Sequence, residues 1–142
     1  MTAAAPLPVD GSCLCGGVRF RVSGPFITAG YCHCTHCQKR TGTGSSVQGR
    51  VAQDDFELLA GAELLKAFTP TPESRPKVFC AECGSHLFSG DPHTDAEVSI
   101  RLGVFEGPID VEPQWHIFVR SAAPWAPVPD DGVPRHETLP PG

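Results

Sequence analysis

A chain of 142 residues fits one domain and leaves no room for two ordinary ones. Its 15 glycines and 15 prolines together exceed a fifth of the chain, which excludes long helices and predicts many turns and short strands. The 11 basic and 16 acidic side chains leave a net charge of −5, which argues against a general nucleic-acid binder because such a protein needs a basic face.

Met1-Thr2-Ala3-Ala4-Ala5-Pro6 carries neither a basic segment nor an apolar stretch, so it does not read as a secretory signal. No apolar run reaches the length of a membrane span. The expected location is the cytoplasm, where disulfides are rare and clustered cysteines are metal ligands or redox groups. Residues 1–9 are Ala/Pro-rich and are expected to form a tail ahead of a folded domain at 10–126.

Within that domain, Val18-Arg19-Phe20-Arg21-Val22 alternates apolar with charged residues, so Val18, Phe20 and Val22 share one face of a strand. Gly16-Gly17 and Ser23-Gly24-Pro25 bracket it as turns. A short helix is predicted after Cys34, with Thr35 as N-cap and Lys39 and Arg40 near its end. Gly42-Thr43-Gly44-Ser45-Ser46 reads as a flexible turn that can also offer backbone N–H groups to a ligand. Phe56–Lys66 has helical spacing, but Gly61 in its middle costs a helix about 1 kcal/mol against Ala. Two strands meeting at a turn near Ala60-Gly61-Ala62 are expected instead. Lys77-Val78-Phe79 leads into Cys80, and Leu87-Phe88 leaves Cys83-Gly84-Ser85, giving a hairpin with two cysteines at its tip. Glu97–Leu102 alternates again, and Trp115–Arg120 is an aromatic and β-branched run. Residues 127–142, with Pro127, Pro129, Pro134, Pro140 and Pro141, read as a C-terminal tail lying on or off the domain.

All seven cysteines fall into three groups: Cys13-Leu14-Cys15, Cys32-His33-Cys34-Thr35-His36-Cys37 and Cys80-Ala81-Glu82-Cys83. Zn²⁺ takes thiolates at about 2.3 Å in a tetrahedron, so ligands must converge from short stretches. A Cys-x-x-Cys turn achieves this, and so does Cys-x-Cys in an extended strand, where residues two apart share a face. The odd count disfavours a disulfide framework, and the absence of a βαβ alternation disfavours a thioredoxin-type redox motif. Seven divides into four plus three, a closed structural site and one with an open position. Spacing alone leaves the grouping undecided, since Cys32 and Cys37 with Cys80 and Cys83 would make an equally good zinc ribbon.

The constellation resembles the glutathione-dependent formaldehyde-activating enzyme (GFA) family, which also includes centromere protein V. Gly11-Ser12-Cys13-Leu14-Cys15-Gly16-Gly17-Val18 is similar to its opening motif, and Tyr31-Cys32-His33-Cys34-Thr35-His36-Cys37-Gln38-Lys39 to its central one. Phe79-Cys80-Ala81-Glu82-Cys83-Gly84-Ser85-His86-Leu87 is similar to the late motif, and His116–Arg120 with Ala123-Pro124-Trp125 to the closing segment. The resemblance implies a mainly β, tent-like single domain with little helix. It implies a structural zinc on Cys13, Cys15, Cys80 and Cys83, and a second zinc, of uncertain occupancy, on Cys32, Cys34 and Cys37. It also implies a carbon–sulfur lyase-type activity on thiol–aldehyde adducts, with glutathione or a similar small thiol as partner. The alternative is a non-enzymatic zinc module that binds a protein or a small thiol.

Around the second group, Lys39 and Arg40 can offset thiolate charge or bind a substrate carboxylate, or can be solvated surface charges. His33 and His36 are candidates to fill a fourth metal position. His116 reads chiefly as a strand residue or one standing behind the ligands rather than as a catalytic acid or base. Trp115 and Trp125 read as packing residues.

Overall fold

A computed structural model describes residues 7–140; the first six residues of the expected N-terminal tail, and Pro141 with Gly142, lie outside the described residues. The short apolar-alternating segments become ten strands. They are β1 (Val9–Ser12), β2 (Arg19–Val22), β3 (Thr28–Cys32), β4 (Ser46–Ala52), β5 (Phe56–Ala60), β6 (Leu65–Phe68), β7 (Lys77–Cys80), β8 (His86–Ser89), β9 (Glu97–Arg101) and β10 (His116–Ile117). Among the described residues a single α-helix, α1 (Thr35–Thr41), interrupts them, along with four one-turn 3₁₀ segments. The protein is therefore mainly β, and among the described residues no helix is long and apolar enough to cross a membrane.

The strands form two sheets. The smaller has the order β1-β2-β5 and the larger β10-β3-β4-β9-β8-β7-β6. All pairings are antiparallel except β10 with β3. The core fills the space between the sheets. Val18, Phe20 and Val22 are fully buried from one side, and Val51, Leu87, Phe88, Val98 and Ile100 from the other. Phe20 is the centrepiece: its ring stacks on Phe56 at 5.3 Å and meets Phe105 edge-on at 5.7 Å. It also lies under Gly11, where any Cβ would fall 2.3 Å from its ring.

Several expectations shift by a residue or more. Phe56–Lys66 does form two strands joined at Gly61, whose φ is 89° and whose Cβ would strike the Gly17 carbonyl at 2.4 Å. Yet β5 and β6 do not pair with each other; each goes to a different sheet. The helix N-cap is Cys34 rather than Thr35, because the Cys34 sulfur accepts the Cys37 N–H. The run Trp115–Arg120 narrows to a two-residue strand, since Phe118 turns into the left-handed region at φ 56° and ends it. Three strands without strong alternation, β1, β3 and β4, carry no signal in the sequence reading. Their glycines (Gly11, Gly30, Gly49) are there to let Phe20, Trp115 and Phe26 approach the backbone.

The C-terminal segment returns to the domain. At the end of the large sheet the His116 N–H donates to the Pro134 carbonyl and the His136 N–H to the His116 carbonyl, while the Phe118 and Val119 N–H groups donate to the Thr138 and His136 carbonyls.

Truncating the centrepiece, Phe20→Ala, should cost about 3–5 kcal/mol in urea unfolding with the slope unchanged; a loss under 1 kcal/mol would mean that the two sheets are not held by this ring.

Candidate metal centres and an adjoining basic cavity

The three cysteine motifs sit at strand ends and turns, where the backbone bends enough to aim two sulfurs at one point. Cys13 leaves β1 into a turn closed by the Gly16 N–H on the Cys13 carbonyl; Cys80 ends β7 in a turn closed by the Gly84 N–H on the Cys80 carbonyl. Both closing glycines have φ 78°, which a side chain would strain. The Leu14 N–H donates to Ser85 Oγ at 2.9 Å and laces one turn to the other. As a result Cys13, Cys15, Cys80 and Cys83 face one another, their sulfurs all within 4.8 Å. Cys13 and Cys15 are 3.4 Å apart and Cys15 and Cys80 3.9 Å. Four sulfurs about 2.3 Å from one tetrahedral ion would stand roughly 3.8 Å from each other. All seven cysteines are free thiols, and the sulfur separations are far beyond a disulfide bond. Ser85 hydrogen-bonds the Cys83 thiol at 3.2 Å and lowers its pKa to about 5, so this sulfur is held as thiolate.

The second group is local. Cys32 ends β3, Cys34 caps α1 and Cys37 lies in its first turn, bringing the three sulfurs within 4.8 Å. Strand register places Ser46 opposite Cys32, and its hydroxyl donates to Cys37 Sγ at 3.1 Å. Hydrogen bonds from Cys32 and Cys34, with smaller help from Ser46, pull Cys37 down to about 2, while the same sulfur contacts push Cys32 far upward. Three thiols this close cannot all ionise without a cation among them. Each group, one of four soft donors and one of three, fits a thiophilic divalent ion.

Neither neighbouring histidine joins the three sulfurs. His33 is buried and turned away, its Nε2 at 2.9 Å from His116 Nδ1. His36 is exposed on α1 at the rim of the adjoining cavity. Lys39 is exposed and lies outside that cavity, whereas Arg40 lines it.

The cavity, of about 220 Å³, opens beside Cys32, Cys34 and Cys37. Arg40, Arg50, Arg75, Lys77 and Arg101 all line it, and among the described residues no Asp or Glu does. Arg50 reaches Glu97 at 3.8 Å and Arg75 reaches Asp95 at 3.6 Å. Arg40, Lys77 and Arg101 have no carboxylate partner among the described residues. Burial pushes all three below their ordinary pKa values, and the Cys37 thiolate pulls each back up. Arg101 donates to Gln48 Oε1, which stands 2.9 Å from the Ser46 hydroxyl and competes with Cys37 Sγ for its single proton, so this cation is linked toward the cysteine group. Trp115 forms part of the wall, its ring over Gly30 and its Nε1 donating to Thr28 Oγ1 at 3.0 Å.

Sequence reasoning missed Lys77, Gln48 and Arg101 as site residues. They come from three strands, β7, β4 and β9, and no local motif marks them. Only the sheet order and register place Gln48 beside Arg101.

Residues 8–121 match the family model described as "Glutathione-dependent formaldehyde-activating enzyme". A Halomonas elongata protein, provisionally named as a glutathione-dependent formaldehyde-activating enzyme, is 33% identical over 91 residues, which are 59% of this chain and 57% of the relative. The chain thus aligns with little more than half of that relative's length. A crystal structure of a Rhodobacter sphaeroides protein superimposes with a TM-score of 0.58 at 24% identity, covering 70% of this chain and 89% of the other. At that identity the likeness concerns the fold.

Replacing Ser46 by Ala should raise the pH midpoint for alkylation of Cys37 in chelator-treated protein, because a donor to the thiolate is lost. Peptide-resolved mass spectrometry reads that midpoint; an unmoved or lowered value would contradict the hydrogen bond's role.

Proposed function

The chain belongs to the glutathione-dependent formaldehyde-activating enzyme family, and from that premise we propose that it is a zinc-dependent carbon–sulfur lyase-type enzyme acting on adducts of an aldehyde with an acidic thiol such as glutathione. The single observation behind this reading is the juxtaposition of three thiols with a cavity lined by five cationic side chains and, among the described residues, no carboxylate. An acidic protein places five of its 11 basic groups around one small space. Leaving three of them without carboxylate partners is costly unless an anion enters.

In this reading Cys13, Cys15, Cys80 and Cys83 hold a structural zinc, and Cys32, Cys34 and Cys37 hold a second. Zinc in a three-thiolate site lowers the pKa of a further thiol and favours it as a nucleophile at neutral pH. Arg40, Lys77 and Arg101 receive the carboxylates of the thiol substrate and set its sulfur toward the cysteine group. In the adduct-forming direction the substrate thiol gives up its proton to solvent, its sulfur bonds to the aldehyde carbon, the carbonyl π pair moves to oxygen, and that oxygen takes a proton back from solvent to give an S-hydroxyalkyl product. The reverse breaks the carbon–sulfur bond and releases the aldehyde. A guanidinium of Arg40 or Arg101 donates to the oxygen as its charge develops.

Adduct formation from glutathione and formaldehyde, followed by exchange NMR, tests the activity. The zinc-loaded protein should accelerate it. Cys34→Ala should abolish the acceleration while removing one of two zinc ions and keeping the fold. Cys80→Ala should instead destabilise the whole domain, since structural zinc contributes folding free energy directly. No acceleration by protein holding both zinc ions would move the chain to the class of zinc-stabilised binding modules.

Arg101→Ala should weaken glutathione binding by about 1.5–3 kcal/mol, tenfold or more in Kd. A neutral thiol such as 2-mercaptoethanol should bind equally well to both forms. Equal losses for the two thiols in calorimetry would contradict the carboxylate assignment.

A further inference from the structure

The family match ends at residue 121, yet the segment beyond it folds back to touch the buried His116 behind the second cysteine group. Asp131 Oδ2 lies 2.9 Å from His116 Nε2, and His116 Nδ1 lies 2.9 Å from His33 Nε2. His116 is fully buried, His33 is 4% exposed, and Asp131 stands at the surface end of the line. We propose that Asp131 and His116 are positioning residues that lock the Cys32–His33–Cys34 turn, so that the C-terminal segment is a working part of the second metal site; this rests on the reading of that site given above.

Hydrogen-bond accounting sets the direction of the line. An ionised carboxylate only accepts, so His116 presents Nε2–H to Asp131. A neutral His116 then has a bare Nδ1, which accepts from His33 Nε2–H. His33 Nδ1 is the buried side-chain nitrogen with no partner among the described residues. In this tautomer it keeps a lone pair rather than an orphaned N–H, which is the rarer and costlier case. Reversing the line would bury both an imidazolium and an unpaired donor.

His33 is the residue between two of the three thiols, and it is fastened three ways. Its N–H donates to the Ile117 carbonyl at 3.0 Å, and its carbonyl accepts from Gln38 Nε2 at 2.9 Å. Its ring is held by His116 alone, and His116 is oriented by Asp131. The strand bearing His116 is itself clamped from the C-terminal side. The Pro134 carbonyl takes the His116 N–H, and Thr138 takes the N–H of Phe118, the non-glycine residue at φ 56°. Such a strained residue persists where its surroundings over-determine it. Asp131 is positioned in turn, its second oxygen accepting the Val133 N–H at 3.0 Å.

Asp131 is near the surface, so its variants should fold. Chelator competition on the zinc-loaded full chain should show one of two zinc ions held about tenfold more weakly in Asp131→Ala, with the other unchanged. Asp131→Asn keeps an acceptor oxygen for His116 and should restore most of the affinity. Long-range proton–nitrogen spectra give a readout independent of metal: two neutral Nε2–H imidazoles with fixed tautomers in the parent chain and in Asp131→Asn, and loss of that fixed pattern for His116 in Asp131→Ala. Equal zinc affinity in the parent and Asp131→Ala would overturn the proposal, as would equal weakening of both ions or an Asn variant as impaired as Ala. A parent chain that binds only one zinc would instead overturn the reading of the second site, while the imidazole spectra still judge the hydrogen-bonded line.

Discussion

Sulfur atoms from two turns 65 residues apart in sequence converge to within 4.8 Å of one another, and the rest of the fold is arranged around that convergence. The smaller sheet has three strands of four or five residues, too little to hold itself. It is attached to the larger sheet by the Phe20 cluster and by the two turns that carry Cys13, Cys15, Cys80 and Cys83. Closing a loop of that length by contacts alone is entropically expensive, and an ion at the junction would supply the binding free energy that offsets it. The serine between the turns, Ser85, serves both purposes. It ties Leu14 to the hairpin and lowers the pKa of the Cys83 thiol.

The second cysteine group has different electrostatics. No remote strand donates a fourth sulfur, and the surroundings are basic rather than closed. In a chain of net charge −5, a concave region bounded by cations and low-dielectric walls focuses a positive field that draws in anions. The same cations lower the cost of gathering three thiolates. Arg101 is the meeting point of the two roles, half-buried, bonded through Gln48 toward Ser46, and facing the cavity.

Much of this was legible in the residues themselves. The cysteines announce donors because their clustering has no cheaper explanation. Val18, Phe20 and Val22 announce a buried face because strand geometry repeats every second residue. The family was legible because three cysteine motifs in a fixed order are a specific pattern. How seven sulfurs divide was not, since convergence across 65 residues depends on sheet topology that no local spacing encodes. The cavity cations were hidden for the same reason: Lys77 and Arg101 look like ordinary strand-edge charges until β7 and β9 are placed in one sheet. His33 was left open by the sequence: a histidine between two cysteines is a candidate ligand, but burial and the approach of His116 commit its ring elsewhere.

Anomalous diffraction at the zinc edge is the most direct measurement of the central claim. The account predicts two peaks per chain, one enclosed by Cys13, Cys15, Cys80 and Cys83, the other beside Cys32, Cys34 and Cys37 with a non-protein atom completing its coordination. A single peak, an ion shared between the central and late cysteine motifs, or sulfurs joined to one another would contradict it.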